Sequence, residues 1–277
     1  MKADTRTQLR NHMAAAYTRA APRYERHVLP VFLPMARTLV EALAVPSRAR
    51  VLDLASGGGA VLDALRMTSS TSLVVAGDFA AGALASARRR HPEVDYVLLD
   101  LETKLPFADH SFDIVTCSFG LNHLADAGSA LRRCRALIKG DGRVGFTSWE
   151  ESSASPLGDL YDDAVEELVG KNELEWEPQF DEMIEDALTA LRTSKGIGKL
   201  LIAAGYESFS VSRHELEFSF ASPRDYVDYR LAWGTDAELV SPLGPEAGKI
   251  ITEALQPRVI KETPLSWTRN YFVAVGG

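Results

Sequence analysis

The sequence predicts an α/β protein: a doubly wound, mostly parallel seven-stranded sheet, preceded by a helical segment and carrying a helical lid inserted after strand five. Three observations carry that expectation. Short apolar runs alternate with helix-patterned segments between Arg50 and Trp149, which is the pattern of a parallel sheet covered on both faces. Three glycines, Gly57, Gly58 and Gly59, close the first of those runs. After Trp149 the alternation gives way to an acidic, helix-like stretch, and strand patterning returns only near residue 209.

Residues 7–45 are rich in Ala, Leu and Arg, and Pro22, Pro30 and Pro34 divide them into two or three short helices. Arg50–Leu54 is a buried strand ending at the glycine turn, and residues 60–67 form a helix. Leu73–Gly77 is a second buried strand, Ala80–Arg90 a helix, and Tyr96–Leu99 a third strand. Phe112–Ser118 is the fourth strand and Ala127–Ile138 a helix. Gly140-Asp141-Gly142 signals a turn ahead of strand five, Val144–Trp149. Pro156 and Pro178 punctuate the helices expected over 155–194. Lys195–Ala204 is a further helix closed by Gly205, and Phe209–Phe220 alternates apolar and polar residues as a half-exposed strand does. Residues 222–233 and 245–256 each hold a helix, and Trp267–Val275 is the last strand. The expected organisation is one domain, 1–277: a helical cap (1–45), a core (46–150), an acidic lid (151–194), and a C-terminal part of the core with further lid helices (195–277). An insertion at that place covers the edge of the sheet where open α/β folds bind ligands.

At 277 residues the chain can bury a sizeable core, and 46% hydrophobic with 25% charged residues excludes a largely disordered one. A net charge of −8 disfavours nucleic acid and anionic membranes as partners, because both present phosphate. No apolar run reaches the ~18 residues of a membrane span. The opening MKADTRTQLRNH has no apolar segment after its charges, so a cytoplasmic protein without a secretory signal is expected. Cys117 and Cys134 are too few for a disulfide framework or a zinc site and lie in apolar segments, so free buried thiols and no structural metal are expected.

The most informative stretch is Val51-Leu52-Asp53-Leu54-Ala55-Ser56-Gly57-Gly58-Gly59. Glycines after a buried strand allow a tight turn and let a ligand approach bare backbone, and the helix that follows offers unpaired N–H groups. A plain strand-to-helix turn would leave the same trace. Asp78 ends the second strand, 21 positions after Gly57, where a carboxylate can accept both hydroxyls of an adenosine ribose. The same residue could instead cap the following helix. Asp53, just before the glycines, sits badly beside a pyrophosphate. Leu62 stands where the nicotinamide fingerprint has its third glycine. An acid before the loop suits a cationic ligand, and S-adenosylmethionine is a sulfonium that carries no phosphate.

With these residues in place, the first 150 positions resemble a class I S-adenosylmethionine-dependent methyltransferase, of the small-molecule group similar to the ubiquinone/menaquinone C-methyltransferases. Five blocks in order carry the resemblance: VLDLASGGG, VAGDFA, LLDLETKLPFADHSFDIV, CSFGLNHLAD and ALIKGDGRVGFTSW. It implies a Rossmann-like fold and S-adenosylmethionine as cofactor. It further implies that Asp53, Ala55, Ser56, Gly57 and Gly59 form the cofactor loop, with Asp78 and Phe79 at the ribose. Asp100 would bond the adenine amino group, Leu101 would pack on the ring, and Ser118 and Asn122 would lie beneath the methionine moiety. Tyr17 and Tyr24 would close over the cofactor from the N-terminal helices, with Arg23 and Arg26 as weaker partners for its carboxylate. Ala55 departs from the family pattern, which has glycine there, and is expected to fit with a negative φ.

Methyl transfer needs alignment more than functional groups. Where an acceptor must lose a proton, His123 is the candidate base, because an imidazole titrates near neutral pH. A histidine that merely packs at the start of the next helix is the alternative. The acidic lid residues, Asp159, Asp162, Asp163, Glu166, Glu167, Glu173, Glu175, Glu177, Asp181, Glu182, Glu185 and Asp186, read as a solvated face rather than a magnesium site or a mouth for amines. Trp176, Phe180, Tyr226, Tyr229 and Trp233 could line an apolar acceptor pocket or simply pack the core. The expected activity is methylation of a natural-product or quinone-like small molecule at O, N or C. The alternatives are a cyclase or binding protein that uses the cofactor structurally, and a nicotinamide oxidoreductase. A DNA amino-methyltransferase would show an Asn- or Asp-Pro-Pro-aromatic run where this chain has Ser118-Phe119-Gly120-Leu121.

Overall fold

The computed structural model describes residues 3–68, 71, 73–151, 155–170, 174–259 and 265–277. Two helices, α1 (Ala3–His27) and α2 (Leu29–Leu43), precede the sheet. There follow β1 (Arg50–Leu54), α3 (Ala60–Thr68), β2 (Leu73–Asp78), α4 (Ala81–Arg90), β3 (Asp95–Leu98), β4 (Phe112–Ser118), α5 (Ala127–Leu137) and β5 (Ile138–Trp149). The insertion holds α6 (Pro156–Val169), α7 (Glu177–Leu191) and α8 (Ser194–Ala203). The chain closes with β6 (Phe209–Ser219), α9 (Pro223–Arg230), α10 (Gly234–Leu239), α11 (Ala247–Leu255) and β7 (Ser266–Gly276).

The seven strands lie in the order β3-β2-β1-β4-β5-β7-β6. β1 to β5 pair in parallel, and β7 runs antiparallel to both β5 and β6. Four consecutive buried residues, Val51 to Leu54, make β1 a central strand covered on both faces. One face packs against α2, α3, α6, α9 and α11 through Met35, Leu39, Leu43, Tyr161, Val227 and Ile251. The other packs against α5 and α8 through Leu131, Cys134, Ile197 and Leu201. Both cysteines are buried free thiols, and burial pushes the Cys134 pKa up to about 12. No helix among the described residues is long and apolar enough to cross a membrane.

Several sequence expectations need correction, and Pro34, like Pro22, lies inside a helix rather than at a break. Pro22 does not break the first helix; α1 runs through it for 25 residues. A proline cannot bond the carbonyl four residues back, here Thr18, and that freed carbonyl faces Gly82 of α4, where any Cβ would collide with it. Strand five starts earlier than Val144. Its pairing with β4 jumps from Phe112↔Ile138 to Ile114↔Arg143, so Gly140-Asp141-Gly142 is a bulge inside the strand rather than a turn before it. α10 was not foreseen; its N-cap Trp233 provides no capping side chain to signal it, and Gly234 starts it because α1 backbone at Ala16 leaves no room for a Cβ.

The strand order reverses between β1 and β4, and the two turns leaving those strands touch. Ala55 takes φ +51°, in the left-handed region, against the expectation of a negative value. That conformation costs a non-glycine residue roughly 1–3 kcal/mol and persists because its surroundings enforce it. Phe119, after β4, is also left-handed at φ +58°. Gly120 follows it, and a Cβ there would collide with the Ala55 methyl and come within 2.8 Å of Cys117 Sγ. The glycine missing from the first loop is thus matched by one in the second. Gly120→Ala should destabilise the protein by about 1–3 kcal/mol, and adding Ala55→Gly should return part of that loss. Thermal melts check this; equal midpoints for the single and double variants would leave Cys117 as the only obstacle.

Candidate functional site

A cavity of about 420 Å³ opens at the carboxyl ends of β1, β2, β4 and β5, at the point where the strand order reverses. Its floor is the turn after β1, the start of α3, and the segment Ser118–His123. Its roof is α1 and α7, joined by an apolar contact of Leu9 and Met13 with Phe180 and Ile184.

Asp78 ties the floor together. One carboxylate oxygen accepts the Gly57 N–H and the other the Ala80 N–H, each at 2.8 Å. The cap of α4 is Ala80, so Asp78 only partly serves as a helix cap. It also clamps the glycine loop to the end of β2 and keeps its remaining lone pairs on the cavity. Burial raises its pKa, and the backbone N–H groups pull it back down.

Asp53 is fully buried. One oxygen accepts the Thr116 hydroxyl at 2.7 Å; the other has no partner among the described residues. Burial pushes its pKa up to about 7, against the Thr116 hydrogen bond, and the Asp78 charge adds to the rise. Ser56 Oγ and Asn122 Nδ2 are likewise buried without partners. The Asn122 amide oxygen lies 3.0 Å from the Ser148 hydroxyl, which leaves its nitrogen unengaged. All three residues line the cavity. Buried polar atoms without partners are costly, and three converging on one cavity mark a place for a polar ligand.

His123 Nε2 lies 3.5 Å from the Tyr17 hydroxyl, and the two rings meet edge to face at 5.8 Å. Burial lowers the imidazole pKa to about 4, so the ring is neutral at neutral pH. Tyr17 in turn packs against Tyr24 and Phe79. Burial pushes both tyrosine hydroxyls well above their usual pKa, so neither ionises near neutral pH.

The cavity brings together Tyr17, Tyr24, Asp53, Ala55, Ser56, Gly57, Asp78, Phe79, Ser118, Asn122 and His123. Gly59, Asp100 and Leu101 lie outside it. Gly59 sits behind the loop against Leu62, Ala87 and His91 with φ +93°. Leu101 is in the core. Asp100 is paired with Arg10 of α1 at 2.9 Å and accepts the Glu102 N–H. Arg23 and Arg26 line a separate cleft with Arg224 and Lys249.

Among the described lid residues, α7 reaches the cavity through Glu177, Phe180, Asp181, Ile184 and Leu188, with Arg192 at its end; α6 packs on α11 instead. Its acids Asp162 and Glu167 pair with Arg230 and Arg258. Glu173 lies outside the described residues, and no three His, Cys, Asp or Glu among those described could share a metal. Phe180 and Trp233 line the cavity, Trp176 stacks on His12, and Tyr226 and Tyr229 face a neighbouring cavity. Phe32, Trp149, Arg192 and Arg269 also line the main cavity and were not anticipated. Trp149 had a readable signal, since it ends a strand on the ligand edge. Arg269 did not, because β7 had to be known as antiparallel before its first residues could be placed on that edge.

The family profile described as "Methyltransferase domain" matches residues 52–146. The chain is 31% identical over 178 residues to a demethylmenaquinone methyltransferase of Beutenbergia cavernae, a match spanning 61% of this chain and 70% of the relative. It is 28% identical to a malonyl-[acyl-carrier protein] O-methyltransferase of Pseudescherichia vulneris, over 80% of this chain and 95% of that one. Among solved structures, its fold resembles phosphoethanolamine N-methyltransferase 2 of Haemonchus contortus, solved with S-adenosylhomocysteine and phosphomonomethylethanolamine. The TM-score there is 0.52 at 16% identity, covering 88% of this chain and 52% of that one.

The buried state of Asp53 sets a stability test. Its folded pKa, about 7, lies above the ordinary value of 3.8, so its stabilising contribution is complete below ~4 and is lost as pH rises through 7. Asp53→Asn keeps an acceptor for Thr116 and removes the titration. Its melting midpoint should therefore gain on wild type between about pH 4.5 and about 7 and hold that margin above it. Parallel curves over that range would mean that Asp53 titrates normally.

Proposed function

The chain belongs to the class I S-adenosylmethionine-dependent methyltransferases, and from that premise we propose that it methylates a small, largely apolar acceptor of natural-product or quinone-like type, at O, N or C. The observation that carries this reading is the unpartnered Asp53 oxygen beside the glycine loop, with Ser56 Oγ and Asn122 Nδ2 equally unpartnered in the same cavity. A carboxylate there fits a cationic donor and would repel a pyrophosphate. When bound, S-adenosylmethionine supplies a methyl on a sulfonium: the carbon–sulfur bond breaks as the acceptor–methyl bond forms, and the electron pair stays on a neutral thioether.

The residues present fit that group. Asp78 offers lone pairs to the ribose hydroxyls while bonded to Gly57 and Ala80, with Phe79 beside it. Asp53 faces the cationic end, and Ala55, Ser56, Ser118 and Asn122 complete the floor. Tyr17 and Tyr24 form the roof. Gly59 shapes the loop from behind. Asp100 and Leu101 remain the adenine-side residues in this reading, with Asp100 shared with Arg10. The acceptor takes the apolar side of the cavity, lined by Phe32, Trp149 and Trp233. Aligning acceptor and methyl is worth ~7–11 kcal/mol of such a barrier, which is why few acid–base groups are needed. His123 is the proposed base for an acceptor that must lose a proton. Burial lowers its pKa to about 4, so it is unprotonated at any physiological pH but a weaker base than the near-neutral imidazole expected from the sequence. The two buried free thiols fit a reducing compartment, and the cytoplasm is the location we propose.

Asp78→Ala should weaken S-adenosylhomocysteine binding by about 1–3 kcal/mol, read by calorimetry; an unchanged affinity would leave Asp78 as a loop staple alone. His123→Ala should lower the single-turnover rate about 10²–10⁴-fold, and a loss below threefold would remove it from the chemistry. In the wild type, His123 protonation should slow the reaction only as pH falls toward about 4.

A further inference from the structure

We propose that Arg269 anchors a carboxylate on the acceptor, so that the substrates of this enzyme are apolar acids. The inference deepens the methyltransferase reading and rests on it. Arg269 stands near the start of β7, on the ligand edge of the sheet, and lines both the main cavity and the neighbouring one. Its guanidinium lies 4.1 Å above the Trp149 ring, and Trp149 is stacked on Phe119 at 4.3 Å. Phe119 is fixed in turn by two bonds from its N–H to Thr147. The charge is therefore held in place by a rigid aromatic stack.

What Arg269 lacks is an anion. Among the described residues no ion pair and no side-chain hydrogen bond involves Arg269. Arg230, across the neighbouring cavity, is the instructive contrast. It too lies over an aromatic ring, that of Tyr161 at 4.2 Å, but it is paired with Asp162 and Asp236. Glu150 lines the main cavity with Arg269, yet it is held at 3.0 Å by Arg213 of β6. Arg192, another cation of the main cavity, already faces Glu185 at 3.7 Å.

Burial also lowers the Arg269 pKa, although a guanidinium stays charged. Arg269 is only partly buried, and withdrawing part of an unpaired cation from water opposes folding, a cost an incoming anion would offset. A guanidinium held over a ring face can still turn N–H groups outward, and those match a carboxylate in a two-point fork. An acid held there lays its apolar body against Trp149, Phe32 and Trp233.

The test uses the full chain loaded with S-adenosylhomocysteine and titrated by calorimetry. The probes are 4-hydroxybenzoate, indole-3-acetate and decanoate, each beside its methyl ester. At least one acid should bind about tenfold or more tightly than its ester, a preference Arg269→Met abolishes and Arg269→Lys partly keeps. Arg269→Met should bind S-adenosylhomocysteine as wild type does, and its melting midpoint without ligand should be equal or higher. If no acid outperforms its ester, or if Arg269→Met melts ~5 °C or more lower, Arg269 is a structural brace and the proposal falls. If the wild type does not bind S-adenosylhomocysteine, the methyltransferase reading itself fails.

Discussion

The site depends on one buried carboxylate. Asp78 stands at the end of β2 and holds the N–H of Gly57, across the strand boundary, and that of Ala80, at the start of α4. The loop after β1 is also held by the Ser56 N–H on the Gly77 carbonyl and by Arg90 on the Gly58 carbonyl, but its glycines allow many conformations and contribute no side-chain packing. A charged acceptor of two backbone N–H groups selects one of them. The same carboxylate faces the cavity, so the group that shapes the loop is also offered to the ligand. This dual role explains why an acid can persist at 5% exposure with no cation beside it: backbone dipoles stabilise its charge.

The strain at the switch point follows from the same demand for closeness. Two left-handed non-glycine residues, Ala55 and Phe119, leave the adjacent strands β1 and β4. Ala55 is seated directly over Gly120, and Phe119 swings its ring onto Trp149. Strained backbone concentrates where a fold positions a ligand, and here it serves two ends. One turn lowers the loop onto the floor of the cavity. The other builds the aromatic stack on which Arg269 rests.

The core was legible because its signals are local. Buried strands β1, β2 and β4 appear as apolar runs, and the glycine loop, Asp78 and the Ser118–His123 segment follow them at strand ends. What lay beyond local pattern was tertiary. Pro22 reads as a helix break until Gly82 is seen to pack on the carbonyl it frees. Ala55 reads as ordinary backbone until Gly120 is found beneath it. Asp100 reads as free to face a ligand, and only the structure shows that Arg10, ninety positions earlier, shares it. Arg269 reads as one residue of an alternating strand, and only the antiparallel pairing of β7 with β5 brings it beside Trp149.

That lateral placement gives the cavity an electrical direction. Along the sheet, the order β2-β1-β4-β5-β7 sets Asp78 and Asp53 on one side and Arg269 on the other. Between them lie Ser118, Asn122 and the neutral His123, whose environment strips charge from the imidazole. In the proposed reading, a cationic methyl donor takes the acidic side and an anionic acceptor the basic side. In a site screened from water such charges attract more strongly than in solution, so each ligand improves the setting for the other. An enzyme that must bring a methyl carbon and an acceptor atom into line gains from this arrangement. In that reading, opposite charges fixed on different strands orient both partners, with Ser118, Asn122 and the neutral His123 between them.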